Sequence, residues 1–258
     1  MRVGLFIPCY INAAYPEVGI ATFKLLEHLG VDIDYPLPQT CCGQPMANAG
    51  FETSALPLAR RLDALFAPYE RVVTPSASCA AFIRIHHPAI LAGGDTGSRA
   101  KNQTEDEHPC HTHEKIVDLC EFLHDVLRVT ALPGVFPHRV SIHNSCHGVR
   151  ELRLSSASEL NIPRYSKIAA LLALVRGIDI TEPERPDECC GFGGMFAVEV
   201  PAVSACMGRE KVRRHLATGA EYITGADSSC LMHMQGIARR EKLPARFIHV
   251  AQILASGL

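Results

Sequence analysis

The sequence has no long hydrophobic run. Its longest uncharged apolar stretch, Ile168 to Val175, is far short of the roughly 20 residues that a membrane-spanning helix needs. Near the start only Val3 to Ile7 are apolar behind Arg2, too brief for a signal-peptide core. Neither sign of charge is in excess: 25 Lys and Arg stand against 27 Asp and Glu, net −2, so nothing points to nucleic acid or an anionic membrane as partner. A Gly-x-Gly-x-x-Gly fingerprint is missing. Gly191-Phe192-Gly193-Gly194 comes nearest, but Phe196 stands where the last glycine belongs, so flavin or nicotinamide binding is not supported. The dense Cys-x-x-Cys-x-x-Cys-x-x-x-Cys run of ferredoxins is absent too. These absences predict a soluble, cytoplasmic protein without a transmembrane segment.

What the chain does have is cysteine in an unusual arrangement. There are eleven in 258 residues, an odd count and well below the density of a small disulfide scaffold. Cys41-Cys42-Gly43 lies between the single cysteines Cys9 and Cys79, and Cys189-Cys190-Gly191 between Cys146 and Cys230. Neighbouring cysteines do not readily bridge each other, because one trans peptide does not easily supply the required Cα separation and dihedral. Paired thiolates joined by others from distant positions suit a soft metal or an iron–sulfur cluster. A reducing compartment, with thiolates in place of bridges, is the expectation.

The pattern is an internal repeat, offset by roughly 140–150 positions. In the first half, Val3–Ile7 reads as a strand ending at Cys9, Gly19–Leu29 as a helix and Val31–Tyr35 as a strand before Cys41-Cys42. A helix around Leu58–Phe66 then leads to the strand Arg71–Thr74 and Cys79. In the second half, the strand Arg139–His143 delivers Cys146, and Ile168–Val175 lies on a helix. The strand Gly177–Thr181 precedes Cys189-Cys190, and the helix Val203–Leu216 precedes the strand Glu221–Thr224 and Cys230. A strand at Arg246–His249 and a short helix finish the chain. Short strands alternating with helices predict an α/β fold with parallel sheets in two similar lobes. Ligands in such sheets bind at the carboxyl ends of strands, where the single cysteines fall. The lobes are expected at residues 1–134 and 135–258, divided near Leu132-Pro133-Gly134. An insertion or linker is expected at about 93–114, and Ile116–Leu127 reads as a helix completing the first lobe.

At these residues the chain resembles a known family, the cysteine-rich CCG domain found in heterodisulfide reductases and in iron–sulfur subunits of glycolate and glycerol-3-phosphate oxidation. Within it the similarity is to the lactate-utilisation protein A family. It is carried by Cys41-Cys42-Gly43-Gln44-Pro45, His143-Asn144-Ser145-Cys146-His147, Cys189-Cys190-Gly191-Phe192-Gly193-Gly194-Met195-Phe196, Gly225-Ala226-Asp227-Ser228-Ser229-Cys230 and Ile248-His249-Val250-Ala251. The resemblance runs from Gly4 to Leu254 and is weakest around Thr104–Glu114. It implies an iron–sulfur electron-transfer subunit of a multi-protein system oxidising L-lactate to pyruvate, an oxidoreductase component not catalytic alone, with iron–sulfur and other subunits as partners.

In the reductase-type domain the last motif is Cys-x-x-Cys, and five cysteines hold an unusual four-iron cluster. Here Ser76 and Asp227 replace the first cysteine of that pair. Each half keeps four: Cys9, Cys41, Cys42 and Cys79, then Cys146, Cys189, Cys190 and Cys230. Four thiolates suffice for an ordinary cluster. A four-iron cluster, one or two per chain, is therefore expected, with Ser76 and Asp227 as weaker oxygen ligands. Zinc in one or both halves stays open, and so do two other roles, a thiol–disulfide reductase component and a zinc-bound structural subunit. His147, Arg150 and Lys211 are candidates for adding charge or protons near the second set, beside the backbone N–H groups of a helix after Gly194.

Other conspicuous residues read more plainly. His108, Cys110, His111 and His113 form a metal-like group that reads as a solvated loop, and Glu105–Glu107 as a solvated charge run. Cys120 and Cys206 read as core or lining residues on helices, His86-His87 as the end of a helix before Pro88, and Arg213-Arg214 as a helix face.

Overall fold

Among the described residues, 1–93 and 111–258, the computed structural model has eight short strands in two four-stranded parallel sheets. The first contains β1 (Arg2–Leu5), β2 (Asp32–Asp34), β3 (Arg71–Thr74) and β4 (Ile116–Asp118) in the order β2-β1-β3-β4. The second contains β5 (Arg139–His143), β6 (Asp179–Thr181), β7 (Tyr222–Gly225) and β8 (Arg246–His249) in the order β6-β5-β7-β8. The α/β class and the paired sheets are as the alternation of short strands and helices predicts.

The two sheets share a register. Arg2 pairs with Asp32 and Val3 with Arg71 in the first; Arg139 pairs with Asp179 and Val140 with Tyr222 in the second. Residues at the same step past Arg2 and Arg139 are therefore structural equivalents: Gly4 and Ser141, Phe6 and His143, Cys9 and Cys146. The same counting along β3 and β7 matches Ser76 with Asp227 and Cys79 with Cys230; along β4 and β8 it matches Asp118 with His249.

One element differs from expectation. Ile116–Asp118 is not the start of a helix but the fourth strand of the first sheet, paired with β3 from Val72↔Ile116 to Thr74↔Asp118. The helix begins at Leu119 and widens to a π-helical turn over Phe122–Val126. No turn residue separates strand from helix. Asp118 ends the one and caps the other, accepting a hydrogen bond from the Cys120 N–H at 2.7 Å. Residues 94–110, with His108, Cys110 and most of the expected insertion, lie outside the described residues.

Each sheet's last unit packs on the other half. The helix Val250–Leu254 after β8 lies against Pro16–His28, and the segment Leu119–Val126 after β4 lies against Lys167–Leu172. The larger apolar core thus reaches both sheets, from Val3 and Phe66 to Leu171 and Leu254, and a smaller one gathers Val212, Ile223, Leu231 and Met234 beside β7. The carboxyl ends of the central strands β1, β3, β5 and β7 are brought together by this arrangement.

Candidate metal centre

The four cysteines of each set come from separate places along one sheet edge. Cys9 opens the helix Cys9–Ala14 just past β1, and Cys79 lies in the first turn of Ala77–Ile85 just past β3. Cys41 and Cys42 arrive on the loop after β2. Cys146 follows β5, Cys189 and Cys190 follow β6, and Cys230 lies in the first turn of Ser228–Arg240 after β7. All eight are free thiols. In the first set Cys9 Sγ is 3.8 Å from Cys41 Sγ, and Cys42 Sγ is 3.6 Å from Cys79 Sγ. Two thiolates on one zinc-sized ion stand roughly 3.8 Å apart, given a metal–sulfur bond of about 2.3 Å, so each pair is spaced to share a metal.

The glycine after each cysteine pair has a physical job. Gly43 and Gly191 take φ of +91° and +85°, open to glycine and strained for other residues. That turn points each N–H back at the first thiol of its pair: Gly43 N donates to Cys41 Sγ at 3.4 Å and Gly191 N to Cys189 Sγ at 3.3 Å. A Cβ on Gly191 would meet Met207 Cβ and Ser204 O, both at 2.7 Å, so the helix behind also forbids a side chain there.

The thiols are electrically unequal. Hydrogen bonding from Cys42, then from Cys9, holds Cys41 far below the ordinary thiol value, at about 3. Contact with Cys41 raises both Cys9 and Cys42. The second set repeats this, with Cys189 depressed by Cys146 and then Cys190, while Cys146 and Cys190 are raised by their contacts with Cys189. The first cysteine of each adjacent pair is thus the favoured thiolate, and its neighbours hold their protons more tightly.

Members of both sets, all of the eight cysteines but Cys41, line one cavity of about 240 Å³ between the halves. Cys9, Cys42 and Cys79 face Cys146, Cys189, Cys190 and Cys230 across it. Its lip carries Tyr10 from the first half in edge contact with Phe192 from the second, ring centroids 6.0 Å apart.

The two positions that lack the extra cysteine meet at the junction of the halves. Asp227 Oδ1 accepts hydrogen bonds from Ser76 Oγ at 3.1 Å, Ser78 N at 2.9 Å and Ser78 Oγ at 2.7 Å. Ala77 N also donates to Ala226 O at 3.2 Å. Ser76 and Asp227 therefore tie one half to the other. Charge-assisted hydrogen bonds of this kind contribute about 1.5–3 kcal/mol each before their desolvation cost is counted.

The three residues expected around the second set have different fates. His147 does line the cavity, with Nδ1 3.6 Å from Cys146 Sγ and Nε2 3.4 Å from Gln44 Nε2 of the first half. Arg150 is turned away: its guanidinium pairs with Glu159 and Asp187 and is 42 % exposed. Lys211 is fully buried and donates from Nζ to the carbonyls of Arg185 at 3.0 Å and Pro186 at 3.1 Å. It anchors the loop leading to Cys189-Cys190, and burial lowers it to about 8. The segment after Gly194 forms only the short helix Met195–Glu199.

Several residues near the cysteines escaped the sequence reading. His87 does not end a helix. It begins the helix His87–Gly93, and its Nε2 is 2.8 Å from Cys42 O, bracing the first cysteine pair. His143, at the end of β5, is fully buried, has no hydrogen-bond partner on either ring nitrogen among the described residues, and lies within 4.8 Å of both Cys190 and Cys230. Burial pushes it down to about 3, so it is neutral. Aligning Cys9 with Cys146 would have set His143 against Phe6 and drawn attention to it. Of the remaining cysteines, Cys120 is buried in the core as expected, whereas Cys206 is exposed. His111 and His113 stack edge to face at 5.4 Å near the surface.

Fold and site define a duplicated α/β protein with two four-thiol sets that meet at a common cavity, lined by all of those cysteines but Cys41. The chain belongs to the CCG cysteine-rich domain family, whose pattern matches residues 3–84 and 140–235. Over nearly their whole lengths, its relatives include proteins named lactate utilization protein A. It is 36 % identical to the one from Bacillus pumilus over 256 residues, covering 99 % of this chain and 100 % of that protein. Identity to the one from Geobacillus thermodenitrificans is 37 % over 254 residues, covering 98 % of each. Among solved structures, a hypothetical protein from Helicobacter pylori aligns with a TM-score of 0.63 at 11 % identity, over 99 % of this chain and 48 % of that one, a likeness of fold. The relationship supports a role in lactate utilisation. Among the described residues no helix is long and apolar enough to cross a membrane.

Proposed function

We propose that this protein is an iron–sulfur electron-transfer component of a system that oxidises L-lactate to pyruvate, working with partner redox subunits and not catalytic alone. Residues 1–134 and 135–258 are read as one repeat each, and the four cysteines of each as its ligand set. The observation that carries the reading is that cysteines of both sets line one cavity. The donor set fits a cluster: free thiols from loop and strand ends, sulfur pairs at 3.6 and 3.8 Å, and one thiolate already formed in each set. An iron–sulfur cluster held by these thiolates supplies one-electron chemistry.

The chain's own groups prepare that chemistry. The Gly43 and Gly191 N–H groups donate to sulfur and so favour added negative charge. Tyr10 and Phe192 close part of the mouth with apolar surface, and His147 keeps an imidazole beside Cys146. Lactate oxidation releases two electrons, so a chain with this site needs a donor that collects them and an acceptor that removes them. The shared ancestry with proteins named for lactate utilisation supports that setting, and a cytoplasmic location is part of the proposal.

Anaerobically purified protein assayed for iron, acid-labile sulfide and zinc tests this reading. Near-equal iron and sulfide, with visible absorption that bleaches on reduction, is the expected result. Zinc without sulfide would remove electron transfer from the chain and leave a structural subunit.

A further inference from the structure

The wall behind the first cysteine set is hydrocarbon; the matching wall behind the second is built from nitrogen. Phe6 and His143 are equivalent by strand register. The long helices Glu52–Phe66 and Pro201–Ala217 are matched by what they press on the motif glycines, Ala55 against Gly43 and Ser204 against Gly191. Seven residues further on stand Leu62 and Lys211, and eleven further on stand Phe66 and His215. Phe6 and Phe66 meet edge to face with centroids 5.9 Å apart at 83°; His143 and His215 meet the same way, 6.1 Å apart at 74°. Shape is preserved while carbon is exchanged for nitrogen.

That exchange is costly without a partner. His143 and His215 are fully buried, both nitrogens of His143 and Nε2 of His215 have no hydrogen-bond partner among the described residues, and each unmet buried polar group costs about 1–3 kcal/mol. Phenylalanine at either place would avoid the cost, as the first half demonstrates. His143 also shares its position with thiols, its ligand atom lying within 4.8 Å of Cys190 and Cys230. From the opposite side Ser141 Oγ meets His215 Nδ1 at 2.8 Å and sets that ring's orientation.

We propose that His143 is a nitrogen ligand of the metal group held by the second cysteine set, giving that set a mixed nitrogen–sulfur character which the first set lacks. The inference rests on the reading of the two sets as iron–sulfur sites. Where that imidazole takes the place of one of the four thiolates it raises the group's potential, so the two halves then hold groups of different potential in one cavity, with the second the better electron acceptor.

The test uses the full chain, grown with ¹⁵N-histidine, reconstituted with iron and sulfide without oxygen, and reduced. Pulsed EPR compares the parent protein with His143→Phe, which copies Phe6, and with His147→Phe, which removes the other imidazole near the set. A nitrogen coupling of directly bound size in the parent and in His147→Phe, lost in His143→Phe, is expected. Parent protein loaded with iron and sulfide but showing no such coupling overturns the proposal, as does a coupling that survives His143→Phe. If His143→Phe does not fold, His143→Gln takes its place with the same expected loss. If iron and sulfide do not assemble at all, the electron-transfer reading fails separately. Cobalt(II) titrated into the metal-free chain then decides about His143, with affinity expected to fall roughly 10–100-fold in His143→Phe. Unchanged cobalt affinity overturns the proposal.

Discussion

The two halves share a thiol frame and differ in what stands behind it. Both offer a single cysteine after the first central strand, a Cys-Cys-Gly loop, and a single cysteine opening the helix after the next strand. Behind the first frame are Phe6, Leu62 and Phe66; behind the second are His143, Lys211 and His215, all buried. The Phe6–Phe66 pair adds about 1 kcal/mol beyond its burial. The second wall gives up that apolar gain and instead places the His143 imidazole within 4.8 Å of the Cys190 and Cys230 thiols, with His215 packed on His143 and Lys211 holding the loop that leads to Cys189-Cys190. Duplication kept the four-thiol frame in both halves, while the buried surroundings behind it diverged.

Variants at matched positions sharpen the contrast, and the largest effect is expected where β4 and β8 end. Asp118 and His249 occupy equivalent steps and both cap the following helix, yet burial shifts them in opposite senses: Asp118 is raised to about 8 and His249 lowered to about 4. Each is therefore held neutral. The folded state keeps the Asp118 proton that the unfolded chain releases above its ordinary value of 3.8, so this residue erodes stability as pH rises from 3.8 through about 8. His249 acts the other way, because the unfolded chain takes up a proton below 6.5 that the folded state refuses until about 4. Asp118→Asn keeps a capping side chain and should raise stability at pH 8 by on the order of 3 kcal/mol, measured by urea unfolding across pH. His249→Asn should instead lessen the loss below pH 6.5. Stability curves unchanged by both substitutions would break the contrast.

Asp227 joins the halves, so its removal should cost next most. Asp227→Ala strips an acceptor from Ser76 and Ser78 and is expected to destabilise by about 3 kcal/mol while leaving metal content unchanged. Loss of metal in this variant would instead place Asp227 among the ligands. The smallest effect is expected at Arg150, whose partly exposed pairs with Glu159 and Asp187 are worth less than about 1 kcal/mol; Arg150→Ala should leave both unfolding and visible absorption nearly unaltered.

Much of this architecture was legible in the residue pattern. The strands Arg71–Thr74, Arg139–His143 and Arg246–His249 stand where hydrophobic alternation and flanking residues put them. The cysteines gather at the strand ends as parallel-sheet topology requires. β4 was not legible because Ile116-Val117-Asp118 runs without a break into helix, so three strand residues merge with the helical spacing that follows. His143 and His215 were hidden for a different reason. They are distant in sequence and meet only once β5 and the helix Pro201–Ala217 are packed, and each alone resembles an ordinary core or surface residue. Ser76 and Asp227 stood out as departures from a cysteine pattern, but their contact with each other depends on how the halves dock.

The most direct test assays iron and acid-labile sulfide per chain in three proteins side by side: the parent, Cys42→Ser and Cys190→Ser. Two separate sets predict near-equal iron and sulfide in the parent, with each variant retaining roughly half of both. Complete loss in either variant would mean one group shared by all eight cysteines, and iron and sulfide unaffected by both substitutions would mean that these thiols are not ligands.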